Sequence, residues 1–220
     1  MRAITKLPEP PSLTQHRATA HADYDNYADK DTLRAQLVLE QRGLCCFCGG
    51  RIVDNNRRMK VAHWMPQTPH PEFQLDYWNL LGACRGNEGQ LRTKQHCDTH
   101  QGNDLLSRNP ANPAHRIEDF IQFLPDGTIS SHDPVLAQEL GRRKEDGEFE
   151  EGVLNLNLPF LRTNRMKALN AFTKGLSKRG HLSKPTLGKL ISVWRGDSPG
   201  KLDAYAPVIV YWLRKRLARA

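Results

Sequence analysis

The sequence predicts an α+β protein in which a small unit of short strands, organised by cysteines, is embedded in a mainly helical chain with a basic helical C-terminal region. Three observations predict it. Three cysteines crowd into Leu44-Cys45-Cys46-Phe47-Cys48, and Cys84 and Cys97 follow at the ends of short segments. Apolar residues recur at helical spacing in 31–42, 162–176 and 206–217. Charge is split along the chain: residues 1–161 carry 18 Lys and Arg against 22 Asp and Glu, whereas 162–220 carry 14 against 2.

Taken in order, residues 1–13 are proline-rich with little apolar periodicity, and 1–30 is expected as an extended N-terminal arm. Leu33, Leu37 and Val38 predict a helix over 31–42, capped by Asp31 or Thr32 and stopped by Gly43. Residues 51–53 and 60–64 are short strand candidates around the Asp54-Asn55-Asn56 turn, and Leu80-Leu81 lead into Cys84 as another. The segment 85–96 is an inserted loop. Residues 120–124 and 128–130 flank Pro125-Asp126-Gly127, a hairpin signal because glycine takes positive φ at little cost. The acidic run 144–151 is expected as a solvated loop within a hairpin and linker region, 109–161. Met166, Leu169 and Phe172 predict a helix over 162–176, and Val208, Tyr211, Trp212 and Leu217 predict one over 206–217.

Composition excludes some classes of function. A mean hydropathy of -0.64, with no apolar run near the roughly 18 to 20 residues a membrane span needs, excludes a helical membrane protein. The start, MRAITKLPEPPSL, has no apolar signal core, so a cytoplasmic protein is expected. In that reducing compartment an odd set of five cysteines points to metal binding and not to disulfides. Cys45 and Cys48 have the C-x2-C spacing of a zinc knuckle, and Cys84 with Cys97 supply a second pair, twelve residues apart. His96 can stand in for Cys97, and Cys46 for Cys45. Four protein ligands make such a zinc structural. The +12 of residues 162–220 implies a polyanion or an acidic protein partner.

Cys45-x2-Cys48, Ala62-His63-Trp64-x-Pro66-Gln67, Asn79-Leu80-Leu81-x2-Cys84 and His96-Cys97-Asp98-x3-Gly102 together resemble the HNH endonucleases. The closer resemblance is to the PtuB-like nucleases of retron and Septu anti-phage systems, which act with a PtuA-like ATPase subunit. The resemblance implies a zinc-stabilised ββα-metal finger within a nuclease core over 31–108, ahead of a basic helical region over 162–220. It implies His63 as general base, Asn79 as the residue that orients the loop, and Asp98 as the ligand of a catalytic Mg²⁺ or Mn²⁺, with His100 a second candidate. The chemistry is coherent, because phosphodiester hydrolysis needs a base to activate water and positive charge on the scissile phosphate. Two positions depart from the pattern: Ala62 stands where a metal ligand is common, and Gln101 where lysine is expected. Arg85, Arg92 and Lys94 in the insertion can replace that phosphate contact. Lys174, Lys178 and Arg179 are the expected nucleic-acid or partner contacts of the basic region. Trp64, Tyr77 and Trp78 are expected as the finger's small core, and His70 as a loop residue. The expectation is therefore a DNA- or RNA-cleaving HNH endonuclease in anti-phage defence; the alternative is a non-catalytic zinc-knuckle nucleic-acid-binding or adaptor subunit.

Overall fold

The computed structural model describes residues 1–177 and 182–220. It combines helices with two separate two-stranded antiparallel sheets, an α+β architecture. Its elements are α1 (Pro11–Arg17), α2 (Lys30–Glu40), β1 (Met59–His63), β2 (Leu80–Cys84), α3 (Asp98–Gln101), α4 (Ile117–Phe120), β3 (Ile121–Phe123), β4 (Ile129–Ser131), α5 (Pro134–Leu140), α6 (Pro159–Ser177), α7 (Lys184–Arg195) and α8 (Ala206–Leu217).

The first 30 residues are not an extended arm. Met1 and Ile4 are buried in the largest core cluster, and Leu13 of α1 is sealed against Tyr27, Leu33 and Leu37. Lys6 reaches a buried carboxylate, with Nζ 2.6 Å from Glu40 Oε1, and Tyr77 donates its hydroxyl proton to Glu40 Oε2 at 2.6 Å. Lys6 also donates to the carbonyl of Leu80 at 2.8 Å. One buried charge cluster thus ties the start of the chain to α2 and β2, with the charges paired as burial demands. Sparse apolar residues concealed this, because each docks into a cluster built from distant chain.

Helix α2 starts one residue before the expected boundary and is capped by Asp29, whose carboxylate accepts from the Thr32 amide. It ends at Glu40, two residues before the expected boundary, and the chain turns away through Gly43 at φ 74°. The buried Gln41 side chain then behaves like a strand neighbour. Its Oε1 accepts from the Gly82 amide at 2.6 Å, and its Nε2 donates to the carbonyls of Gly82 and Leu44 at 2.7 and 2.8 Å. These bonds add to the partner that the Gly82 carbonyl already has in the Cys46 amide and tie the end of α2 to β2.

β1 and β2 pair antiparallel, Met59 opposite Cys84 and His63 opposite Leu80. Residues 51–53 contribute only an isolated bridge between Leu44 and Arg51, not a strand. Trp78 departs from expectation: Tyr77 is buried, but Trp78 is 52% exposed. The β3–β4 hairpin forms as predicted, Ile121 opposite Ser131. Gly127 serves it twice, since its φ is 78° and a Cβ there would lie 2.1 Å from the Arg162 carbonyl of α6.

Besides α1 and the single turn of α4, the helices α5 and α7 were not anticipated. α5 carries a capping aspartate, Asp133, which accepts from the Val135 and Leu136 amides, and a proline in its first turn. α7 has Ser183 as cap, Pro185 in its first turn and Gly196 in left-handed conformation at its end. α7 and α8 pack with Phe172 of α6 around Leu187, Ile209 and Leu213.

The basic block also has internal work. Arg165 is 1% exposed. It donates to the carbonyls of Gly127 and Leu156 and to Asn157 Oδ1. Asn157 in turn brackets Ile129, accepting from its amide and donating to its carbonyl, both at 2.9 Å. Arg214 pairs with Glu118 at 3.0 Å, and Arg162 with Asp126 at 3.8 Å. Part of the C-terminal charge is thus neutralised by the acidic first part of the chain.

A four-cysteine centre beside a hairpin histidine

The turn after α2 presents Cys45 and Cys48 together. The Cys45 amide donates to the Gly50 carbonyl at 2.8 Å and the Gly49 amide to the Cys45 carbonyl at 3.1 Å, closing a knuckle that needs Gly49 at φ 74°. Cys84 ends β2 and Cys97 immediately precedes α3. The four sulfurs lie within 4.8 Å of one another. Sγ separations are 3.9 Å for Cys45 and Cys97, 3.8 Å for Cys48 and Cys84, and 3.7 Å for Cys84 and Cys97. Zinc bonded tetrahedrally to four thiolates at about 2.3 Å holds its sulfurs about 3.8 Å apart. The donor set therefore fits zinc, and the separations are far beyond a disulfide bond. All five cysteines are free.

The surroundings suit thiolates. The Gly50 amide donates to Cys48 Sγ and the Cys84 amide to Cys45 Sγ, both at 3.3 Å. His96 lies outside the quartet, its Nδ1 3.1 Å from Cys97 Sγ. Cys46 lies outside it too, and burial pushes its thiol pKa up. Burial also opposes ionisation of Cys45, but hydrogen bonds from its neighbouring thiols outweigh it and hold its pKa well below the ordinary value. Burial lowers the Arg165 guanidinium to about 10, against the opposing charge of Cys48 and Cys97. At neutral pH it stays cationic, a counter-charge for the net -2 that zinc with four thiolates carries.

β1 passes directly from this centre to His63. The His63 ring is 8% exposed and meets Tyr24 edge to face, with centroids 4.7 Å apart. Its Nε2 lies 3.1 Å from the Gln74 carbonyl. A carbonyl only accepts, so Nε2 carries the proton and Nδ1 is the lone-pair nitrogen of the neutral ring. Burial lowers the His63 pKa, opposed by the Gln74 bond and by Asp25, so the ring is neutral at pH 7. Asn79 closes the connecting loop. Its Oδ1 accepts from the Met65 amide at 2.7 Å, and its Nδ2 donates to the carbonyls of Met65 and Phe73 at 3.1 and 3.0 Å.

Asp98 and His100 are not brought together. Asp98 Oδ2 lies 3.1 Å from Lys60 Nζ, and burial raises its pKa against that partner. His100 bonds through Nδ1 to the Val153 carbonyl at 3.1 Å and places Nε2 3.5 Å from Glu151. Positions two apart on a helix diverge by about 200°, so the two side chains serve different flanks. Ala62 is buried and has no donor to offer. Among the described residues the cysteine quartet is the only group of three or more histidine, cysteine or carboxylate ligands within mutual reach. Asp98 and His100 instead engage different partners, Lys60 and Glu151.

Of the expected phosphate contacts, Arg85 pairs with Glu88 and donates to the Asn56 carbonyl at 3.1 Å. Arg92 lies 3.8 Å from Asp104, and Lys94 is exposed. Lys174 is exposed near the far end of α6, about 20 Å along the helix axis from Phe160, which touches His96. Lys178 and Arg179 lie outside the described residues. Gln101 is buried and donates to the carbonyls of Trp64 and Asp104, both at 3.2 Å, clamping α3 onto the end of β1. Gln41, Tyr24, Gln74 and Arg165 carried no local signal, because each acts on backbone or side chains distant in sequence. Among the described residues no helix is long and apolar enough to cross a membrane. Compared with known proteins, the chain matches no protein-family model and no curated protein sequence.

Proposed function

We propose that this protein is an HNH-type endonuclease hydrolysing nucleic-acid phosphodiester bonds, the nuclease subunit of an anti-phage defence system that works with a PtuA-like ATPase. The observation that supports it most is His63: a neutral imidazole held through Nε2, at the far end of the β1–β2 ladder from Cys84 of the cysteine quartet and beside a loop braced by Asn79. A structural zinc would serve it by fixing β2 and α3 against β1. In the reaction His63 Nδ1 takes a proton from water, the resulting hydroxide attacks phosphorus, and the bond to the leaving oxygen breaks. The Gln74 carbonyl stabilises the imidazolium formed, through the proton already on Nε2. A Mg²⁺ or Mn²⁺ would supply positive charge to the scissile phosphate and would be held by His100 and by Asp98, which is paired with Lys60.

That pairing, with Ala62 beside the base, favours a second reading: a zinc-knuckle nucleic-acid-binding or adaptor subunit without catalysis. Cleavage of plasmid DNA and tRNA separates the two. The full chain is assayed alone and with its ATPase neighbour, with Mg²⁺, Mn²⁺ or EDTA. Cleavage abolished by His63→Ala supports the nuclease; binding without cleavage under every condition supports the second reading.

A further inference from the structure

Directly beyond His63 the chain builds a cleft of about 170 Å³ whose walls include Trp64, Met65, Phe73, Asp76, Trp78 and Asn109. Two of its aromatics are presented to solvent, Trp78 at 52% and Phe73 at 38% exposure. They are not ends of a loose loop. Asn79 bonds the backbone of both Met65 and Phe73. The Trp78 amide donates to Asp76 Oδ1 at 2.9 Å, and its carbonyl accepts from Asn109 Nδ2 at 3.2 Å. The indole is therefore carried on a backbone fixed at both sides, so little ordering entropy is lost on binding. No lysine or arginine lines the cleft, while the Asp76 carboxylate does. A phosphate is repelled there, and the occupant that complements the walls is flat, apolar on its faces and a hydrogen-bond donor at its edge.

We infer that this cleft takes an unpaired nucleobase bearing an exocyclic amino group, stacked on Trp78 and donating to Asp76. Stacking on indole is open to every base, whereas a carboxylate accepts from the exocyclic amino groups of cytosine or adenine; thymine offers only N3–H, flanked by two carbonyls that a carboxylate repels. Trp64 follows His63 directly in the chain, their Cα atoms about 3.8 Å apart, although the two rings face different neighbours, His115 and Tyr24. The inference rests on the nucleic-acid reading above, and it deepens that reading by naming single-stranded, amino-bearing sequence as the substrate class.

The test is equilibrium binding of the full chain to fluorescein-labelled oligo(dC), oligo(dA) and oligo(dT) in EDTA, which removes cleavage from the readout, with circular dichroism to confirm folding. Oligo(dC) and oligo(dA) should bind more tightly than oligo(dT). Trp78→Ala, at an exposed position, should weaken all three by roughly 10- to 100-fold. Asp76→Asn keeps an acceptor for the Trp78 amide and should erase the preference over oligo(dT). Binding unchanged by Trp78→Ala, equal affinity for oligo(dT), or loss of the ATPase partner instead of the oligonucleotide in Trp78→Ala would each overturn the inference. The predicted binding pattern without metal-supported cleavage would sink the nuclease reading alone.

Discussion

Removing the metal should unfold the first part of this chain, and the size of the effect follows from where the ligands lie. Cys45, Cys48 and Cys97 belong to the largest core cluster, and with Cys84 they join the end of α2, the end of β2 and the start of α3. Structural zinc sites in small domains contribute roughly 10 to 16 kcal/mol, comparable with the whole stability of a domain, about 5 to 15 kcal/mol. Cys97→Ala should therefore lose zinc and the cooperative melt of the β1–β2 region together. Cys46→Ala, which only trims a buried sulfur outside the quartet, should keep zinc and cost about 1 kcal/mol, a fall in Tm of roughly 2 to 4 °C for a chain of this size. Zinc content by atomic spectroscopy and thermal melts by circular dichroism measure both. A metal-free protein melting where the zinc-loaded protein melts would refute the reasoning.

The remaining predictions concern the hairpin and the charge. His63→Ala should reduce cleavage at least about a hundredfold with zinc retained, whereas His70→Ala should change it little; equal rates for His63→Ala and wild type would exclude the base role. Because burial lowers the His63 pKa, the acidic limb of the pH–rate profile should fall below about 6.5, the ordinary histidine value. The same shift makes stability from this group fully present above about 6.5 and lost as pH falls through and below that value, because only the unfolded chain is then protonated. Gln41→Ala should cost roughly 1 to 3 kcal/mol in urea unfolding, since it removes the side-chain partner of the buried Gly82 amide, while the Gly82 carbonyl keeps the Cys46 amide; a loss under about 0.5 kcal/mol would mean the amide finds another partner. Glutamate at Lys174, Lys178 and Arg179 should weaken association with nucleic acid or the ATPase in a salt-dependent manner, read by titrations at two ionic strengths, and identical curves would assign that charge to solvation alone.

What the amino-acid sequence determined by itself was whatever short-range chemistry dictates. The C-x2-C knuckle with its glycines, the 206–217 helix, the Pro125-Asp126-Gly127 hairpin and the strand leading into Cys84 all rest on backbone preferences and spacings within a few residues. α5 and α7 were legible by the same signals, in the Asp133-Pro134 and Ser183-x-Pro185 starts, although their apolar spacing alone did not reveal them. The quartet Cys45, Cys48, Cys84 and Cys97 was also named from spacing, and the tertiary structure decided against the stand-ins His96 and Cys46, which lie outside it. It alone docked residues 1–30 through Lys6 and Glu40, turned Arg165 inward, exposed Trp78 and sent Asp98 and His100 to different flanks of one helical turn. Each outcome depends on what distant chain supplies: a buried charge goes where a counter-charge or carbonyl awaits it, and an aromatic stays outside when the core beside it is already filled.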